Sequence, residues 1–243
     1  MPGFALSRPR CAGGYLLVVS GSRPTPTEVA RKLLARTRAR GPREVLTTGV
    51  ARLREFISSS DELVILARSA GGELPDRTDL EFVTATTAEG ARYARDIGTD
   101  SASTFASRLT DTTQCFLVIH EARVVHATWV TTRSAWTREL GGYLVVPEGD
   151  CYVFESFTRA DARGQGVYPF GLKGICEWAA GRGLKRVWVG VESGNVASLR
   201  AVAKVGFEPQ QTISFRRNVG RLQVVGARCP EENIKTLCLR STA

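Results

Sequence analysis

The residues best suited to chemistry lie between Asp150 and Phe207. An apolar stretch, Cys151-Tyr152-Val153-Phe154-Glu155-Ser156-Phe157-Thr158, carries one carboxylate, Glu155. Burial among apolar neighbours makes a carboxylate a stronger base, suited to removing a proton from a nucleophile. The two-residue period of a strand puts Cys151, Val153, Glu155 and Phe157 on one face. The competing structural role for Glu155 is an ion pair with a nearby arginine such as Arg159. The chain then runs Arg163-Gly164-Gln165-Gly166-Val167-Tyr168 into a helical pattern. Glycines at a strand-to-helix turn allow a tight bend and close approach of a ligand. The first amides of the helix lack intrahelical partners, and with the helix dipole they make an anion site suited to a pyrophosphate. Arg163 adds charge or anchoring. Pro169 has no N–H to lose and suits the first helical turn. By itself this is a short glycine motif. It has neither the Gly-Lys-Ser/Thr of a Walker loop nor the three glycines of a dinucleotide fingerprint.

The downstream spacing adds to it. After another strand comes Glu192-Ser193-Gly194-Asn195-Val196-Ala197-Ser198, then a short helix ending Lys204-Val205-Gly206-Phe207. Together these residues resemble the GNAT acyltransferase superfamily. Arg163, Gly164, Gln165 and Gly166 match its cofactor motif. Tyr168 stands where that motif has a small residue. Asn195, Ser198, Gly206 and Phe207 match its second motif. The resemblance is good over residues 120 to 210, extends plausibly from 79, and does not cover 1–78.

The resemblance implies acetyl-CoA or another acyl-CoA as co-substrate and an amine as acceptor. The pyrophosphate would lie on the amides of about Gln165 to Tyr168. The pantetheine arm would pair with the edge of strand 153–158, bringing Phe157 and Thr158 to the cofactor, with Asn195 and Ser198 on the facing side. That strand would splay from 186–191 and leave a gap for the thioester. The candidate base is Glu155. The family's thiol-protonating tyrosine falls at Val202 here, so Tyr168 becomes the candidate acid, with Tyr152 or water as substitutes. A non-catalytic acyl-CoA-binding module and an aminoacyl-tRNA-dependent transferase are the alternatives.

Other candidates carry less. The six cysteines (11, 115, 151, 176, 229, 238) show no C-x-x-C spacing and there are two histidines, so no metal site is expected. Cys151 has no histidine placed beside it and reads as a small buried residue. His120 and His126 sit on a hairpin that borders the acceptor side in the family. Trp129 reads as core; Trp136 and Tyr143 could line an acceptor pocket.

These residues need elements to hold them. Strand patterns fall at 15–19, 62–67, 80–85, 115–120, 123–130, 143–146, 151–158, 186–191, 211–215 and 222–225. Helical patterns fall at 28–40, 87–97, 101–109, 168–181 and 195–205. This predicts a mixed α/β (α+β) fold, and the resemblance implies a GNAT-like mixed, mostly antiparallel central sheet flanked by helices. The run Gly71-Gly72-Glu73-Leu74-Pro75-Asp76 reads as a linker. It divides an N-terminal α/β extension, 1–78, from an acyltransferase domain, 79–243.

The formal net charge is +9, with 33 basic residues of which only five are lysine. They are spread along the chain rather than forming a block. A nucleic-acid partner is therefore not expected, though part of the charge could serve an anionic cofactor. No apolar run is long enough for a membrane span, and no signal sequence is evident, so a cytoplasmic protein is expected. A homodimer is compatible with the sequence but not specified by it.

Overall fold

The computed structural model describes residues 58–137, 140, 142–218, 221–228 and 238–240. The strand and helix expected between residues 15 and 40 lie outside the described residues. In chain order the elements are β1 (Ser58–Ser69), β2 (Glu81–Thr84), a 3₁₀ turn (Thr87–Glu89), α1 (Gly90–Asp96), α2 (Ala102–Arg108), β3 (Thr113–His120) and β4 (Arg123–Thr131). They continue with β5 (Ser134–Thr137), β6 (Gly142–Val145), β7 (Asp150–Thr158), α3 (Val167–Gly181), β8 (Arg186–Glu192), α4 (Val196–Lys204), β9 (Glu208–Asn218), β10 (Arg221–Arg228) and β11 (Cys238–Arg240).

The main sheet has the order β10-β9-β1-β8-β7-β4-β3-β2. Every neighbouring pair is antiparallel except β7 and β8. A parallel pair needs a crossover, and α3 supplies it. The expected mixed, mostly antiparallel sheet flanked by helices is the one observed. A smaller sheet, β11-β6-β5, packs beside it.

Both faces of the main sheet are covered, so its central strands bury side chains on either side. On one face, Cys151, Val153, Val187, Val189 and Val191 meet Leu172, Ile175, Cys176 and Ala179 of α3 and Val202 of α4. On the other, Cys115, Leu117, Ala127 and Trp129 meet Tyr93, Ile97 and Phe105 of α1, α2 and the turn between them. Further along that second face, Tyr152 and Trp188 meet Ala135, Leu140 and Leu144 of the small sheet and its connection. Trp129 is fully buried, edge-on to Tyr93 and tilted on Phe105, so it is a core aromatic. Burying an aromatic side chain of this kind contributes about 2–3 kcal/mol.

The division at residue 78 needs correction. β1 lies between β8 and β9 and pairs with both, from Leu63↔Glu192 to Ser69↔Arg186 on one side and from Ser58↔Asn218 to Ala67↔Glu208 on the other. The 62–67 strand read from sequence is therefore inside the main sheet. Its partners are more than a hundred residues away, and local patterning carries no information about such a pairing. The linker reading of 71–76 keeps its irregular backbone, but the segment crosses within one body.

Candidate active site

The site is built where β7 and β8 part. Their pairing runs from Asp150↔Arg186 to Val153↔Val189 and stops. Beyond it β8 stays with β1 as far as Glu192, and β7 stays with β4 as far as Thr158. The edges Phe154–Thr158 and Gly190–Glu192 thus lie beyond the last paired residues of the two strands. Tyr152 closes the inner end of this gap. A Cβ on Gly190 would stand 2.7 Å from the Tyr152 hydroxyl, so glycine is required there.

A bulge drives the parting. In the β4–β7 register Ala127 faces Phe157 and Trp129 faces Phe154, so Thr128 opposes both Glu155 and Ser156. Glu155 takes the extra position with φ +49°, a left-handed conformation costly for a residue with a Cβ. The bulge breaks the two-residue alternation. Glu155 therefore does not share a face with Cys151 and Val153, as strand periodicity had implied. Its side chain is also not buried among apolar groups: it is 54% exposed and ion-paired to Arg108 at 2.7 Å. Arg159, the partner suggested by sequence, binds Asp161 instead. Arg108 comes from the last turn of α2. It also holds Asp100 at 2.5 Å and lies 4.0 Å over the Trp129 ring. Its side-chain position follows from packing 47 residues away in sequence from Glu155, and no local signal marks it.

On the α3 side of the bulge lies a polar chain that runs from buried His126 and Thr128 to exposed Ser156. His126 is 1% exposed. Its Nδ1 is 2.8 Å from Thr158 Oγ1, and its Nε2 is 2.7 Å from Thr128 Oγ1. Thr128 donates to Ser156 Oγ at 2.9 Å, so the Thr128 oxygen accepts from a protonated Nε2 and the ring is neutral. Burial pushes the His126 pKa down to about 3. Tyr168 completes the chain, hydrogen-bonded to Ser156 and with its ring 5.4 Å from that of His126. Burial raises its phenol to about 12. A phenol so raised is a poorer donor to a thiolate than an ordinary one. The acid role expected for Tyr168 is thus not supported by its surroundings; it instead ties α3 to the bulge. Val202, at the family's acid position, is fully buried in the core. Cys151 is also fully buried and its thiol is pushed up by desolvation, which fits its reading as core. His120 sits at the hairpin tip with Nδ1 2.7 Å from the carbonyl of Asp79.

At the outer end of the gap is the glycine loop. Gly164 and Gly166 have φ +78° and +77°. Gly166 caps α3 in the left-handed conformation, at the end of a loop that leaves β7 through a short 3₁₀ turn, Ala160–Ala162. Among the described residues, no backbone hydrogen bond is donated by the amides of Gly164, Gln165, Gly166, Val167 or Tyr168. Gly164 and Gly166 are exposed, and a Cβ on Gly164 would meet nothing within 4 Å. Unpaired amides at the N-terminus of a 15-residue helix fit a diphosphate by charge and by hydrogen bonding. Arg163 Nε donates to the carbonyl of Thr158 at 3.2 Å, which holds the loop to the end of β7. Phe157 and Thr158 are partly buried beside it. Across the gap, Asn195 caps α4 by accepting from the Ser198 amide at 3.2 Å. Asn195 is exposed and Ser198 partly so, both at the end of β8 that faces the loop. The structure thus brings Glu155, Phe157, Thr158 and residues 163–168 to the β7 side of one gap, with Asn195 and Ser198 on the other.

Trp136 and Tyr143 stand apart, 39% and 40% exposed and edge-to-face on the small sheet. A 760 Å³ cavity lies there, lined by Thr132, Arg133, Tyr143 and Glu148, and touches none of the gap residues. No group of His, Cys, Asp and Glu side chains among the described residues is arranged to hold a metal. No helix among them is long and apolar enough to cross a membrane.

Residues 95–207 match the model of the acetyltransferase (GNAT) family. No curated protein matches by sequence. Among solved structures, a Drosophila protein is 10% identical, with 72% of this chain and 56% of that one covered at a TM-score of 0.47. The chain thus spans little more than half of that relative. A GCN5-related N-acetyltransferase from Kribbella flavida is 16% identical, with 78% and 67% covered and a TM-score of 0.44. An aminoglycoside acetyltransferase from an uncultured soil metagenomic sample is 9% identical, with 53% and 88% covered and a TM-score of 0.42. Likenesses this low carry no argument about function, which rests on the family match and the site. The match spans both motifs, from α1 through the gap to Phe207.

Proposed function

We propose that the domain transfers an acyl group, in the first place acetyl, from acyl-CoA to the amine of a small or amino-acid-like acceptor. The observation that supports this most is the gap between Phe154–Thr158 and Gly190–Glu192, open along its length and ending on unpaired amides of the glycine loop. A linear donor with an anionic head fits that shape: the diphosphate on the loop, the amide-bearing arm along the stretch of β7 beyond its pairing with β8, the thioester deeper in the gap. Tyr152 over Gly190 limits the depth, which favours a short acyl group.

The chemistry is one displacement. The acceptor nitrogen attacks the thioester carbon, the C–N bond forms, the C–S bond breaks, and the thiolate leaves. A proton must leave the acceptor ammonium and another must reach the sulfur. Glu155 is the carboxylate at the bulge, half-exposed and facing α2 rather than α3. In this reading it receives the ammonium by charge and takes the proton directly or through water. Arg108 competes with the ammonium for the same carboxylate, so acceptor binding has to loosen that ion pair. With Val202 in the core and Tyr168 held by Ser156, water protonates the departing sulfur.

The test is calorimetric titration with acetyl-CoA, CoA and a longer acyl-CoA at two salt concentrations, followed by a CoA-release screen over amines. Micromolar binding with preference for the short chain, and release with at least one amine, is expected. Absence of binding to any of the three would overturn the donor assignment. Binding without release across a broad amine panel would instead mark a module that holds acyl-CoA without using it.

A further inference from the structure

The family match begins at residue 95, yet an arginine upstream of it reaches the glycine loop. Between β1 and β2 the chain runs as a strap along α3. Its start is tied down where Ala70 N donates to Lys185 O and Gly71 N to Cys176 O, each at 2.9 Å. Arg68 adds bonds to the carbonyls of Val205 and Gly71. Farther on, Leu74 N donates to Glu177 and the side chains of Leu74 and Leu80 pack against Val118, Val167 and Phe170. The strap thus travels from the C-terminal half of α3 to its N-terminus. There a tight turn, with Leu80 N donating to Arg77 O, presents Arg77.

We propose that Arg77 is a diphosphate-binding residue of the donor site, delivered to the glycine loop by this strap. The inference rests on the acyl-CoA reading above. Arg77 Nη1 donates to the carbonyl of Gln165 at 3.2 Å, and a Cβ on Gly166 would stand 3.6 Å from that same nitrogen. The guanidinium therefore stands against the glycine loop, beside Gln165 and Gly166. Its plane is preset: Nε and Nη2 both donate to the Asp79 carboxylate, at 2.7 and 2.5 Å. Asp79 is itself positioned through its carbonyl by His120. A guanidinium has five N–H groups; these contacts use three and leave two for phosphate oxygens. A side chain already fixed by its carboxylate partner loses little freedom on binding. Asp79 also offsets part of the charge, so the effect is moderate rather than decisive.

A purely structural strap makes a different prediction. In that case losing Arg77 would loosen the loop, lower the unfolding temperature and weaken the diphosphate-bearing probes by an amount that added salt does not change. The experiment measures Kd of the full chain, as wild type and as Arg77→Ala and Arg77→Lys, for three probes: acetyl-CoA, its 3′-dephospho form, and S-acetylpantetheine, which lacks the diphosphate. Thermal unfolding of each variant runs alongside. Arg77→Ala is expected to weaken acetyl-CoA and the dephospho form equally, about five- to tenfold. It should leave S-acetylpantetheine unchanged, and Arg77→Lys should recover part of the loss. The difference should shrink with added salt. Unchanged acetyl-CoA affinity in Arg77→Ala overturns the proposal. So does an equal loss for all three probes, or a loss that added salt leaves undiminished, which is the strap outcome. A loss confined to acetyl-CoA and absent for the dephospho form overturns it too, since Arg77 would then hold the 3′-phosphate. Wild type binding no probe overturns the donor reading itself, and the proposal with it.

Discussion

From Asp150 to Val153, β7 lies against β8, and all four residues are buried; from Phe154 to Thr158 it keeps β4 alone and opens toward solvent. What separates the two halves is the bulge at Glu155 and the departure of β8 toward β1. In the first half every polar group has an internal answer. Asp150, 2% exposed, is bonded to Arg186 Nη2 at 3.0 Å and to Trp188 Nε1 at 2.8 Å. In the second half the pairing with β8 has ended, and among the described residues no backbone hydrogen bond is donated by the glycine-loop amides. A sheet becomes a binding site at the point where it stops satisfying its own hydrogen bonds.

That contrast can be broken from either end. The largest effect is expected at the closed half. Asp150→Ala strands the buried Trp188 N–H and the Arg186 charge, and should cost about 3 kcal/mol of stability by denaturant unfolding. Acetyl-CoA affinity of the folded fraction should not change. A loss of affinity without a loss of stability would show that the two halves are not separable. At the open end, Gly166→Val places a branched side chain at a left-handed position beside the anion site. It should lower acetyl-CoA affinity about a hundredfold. Calorimetry showing wild-type affinity would remove the loop from the donor site.

The helix-side polar chain sharpens the comparison through pH. Unfolded, the His126 imidazole takes up a proton near pH 6.5; folded, it does so only near 3. The folded pKa is lowered, so its contribution is complete above pH 6.5 and is lost as pH falls toward 3. Stability should drop by about 1.4 kcal/mol per pH unit between about pH 6 and 4.5. In that range carboxylates with depressed values, such as Asp79, have not begun to matter. His126→Gln should flatten that slope in chemical denaturation at stepped pH. An unchanged slope would mean the ring is solvated when folded. The smallest effect is expected at the bulge. Glu155→Gln should lower kcat about tenfold with little change in acetyl-CoA affinity. If rate and pH profile both stayed at wild type, Glu155 would not handle the proton.

Much of this was legible in the residues. Alternating or continuous apolar runs mark β3, β4, β7 and β8, because a strand buried on one or both faces has to be written that way. Gly164 and Gly166 mark the loop, because a left-handed turn into a helix favours glycine strongly. Trp129 reads correctly as core. Glu155 does not read correctly. Its alternation was sound as far as Val153, and the bulge arises from how Thr128 of β4 meets two residues of β7, which the β7 sequence alone does not encode.

Local chemistry in the chain determined which segments would be strands and helices, where the glycine turn would fall, and which family model the central segment matches. These follow from short-range sterics and side-chain period. Tertiary structure decided which carboxylate partner Arg108 takes, that β1 completes the sheet from upstream, and that Arg77 reaches Gln165 across 88 positions. Those contacts join residues whose spacing in sequence carries no periodic signal, and only packing around a shared core brings them together.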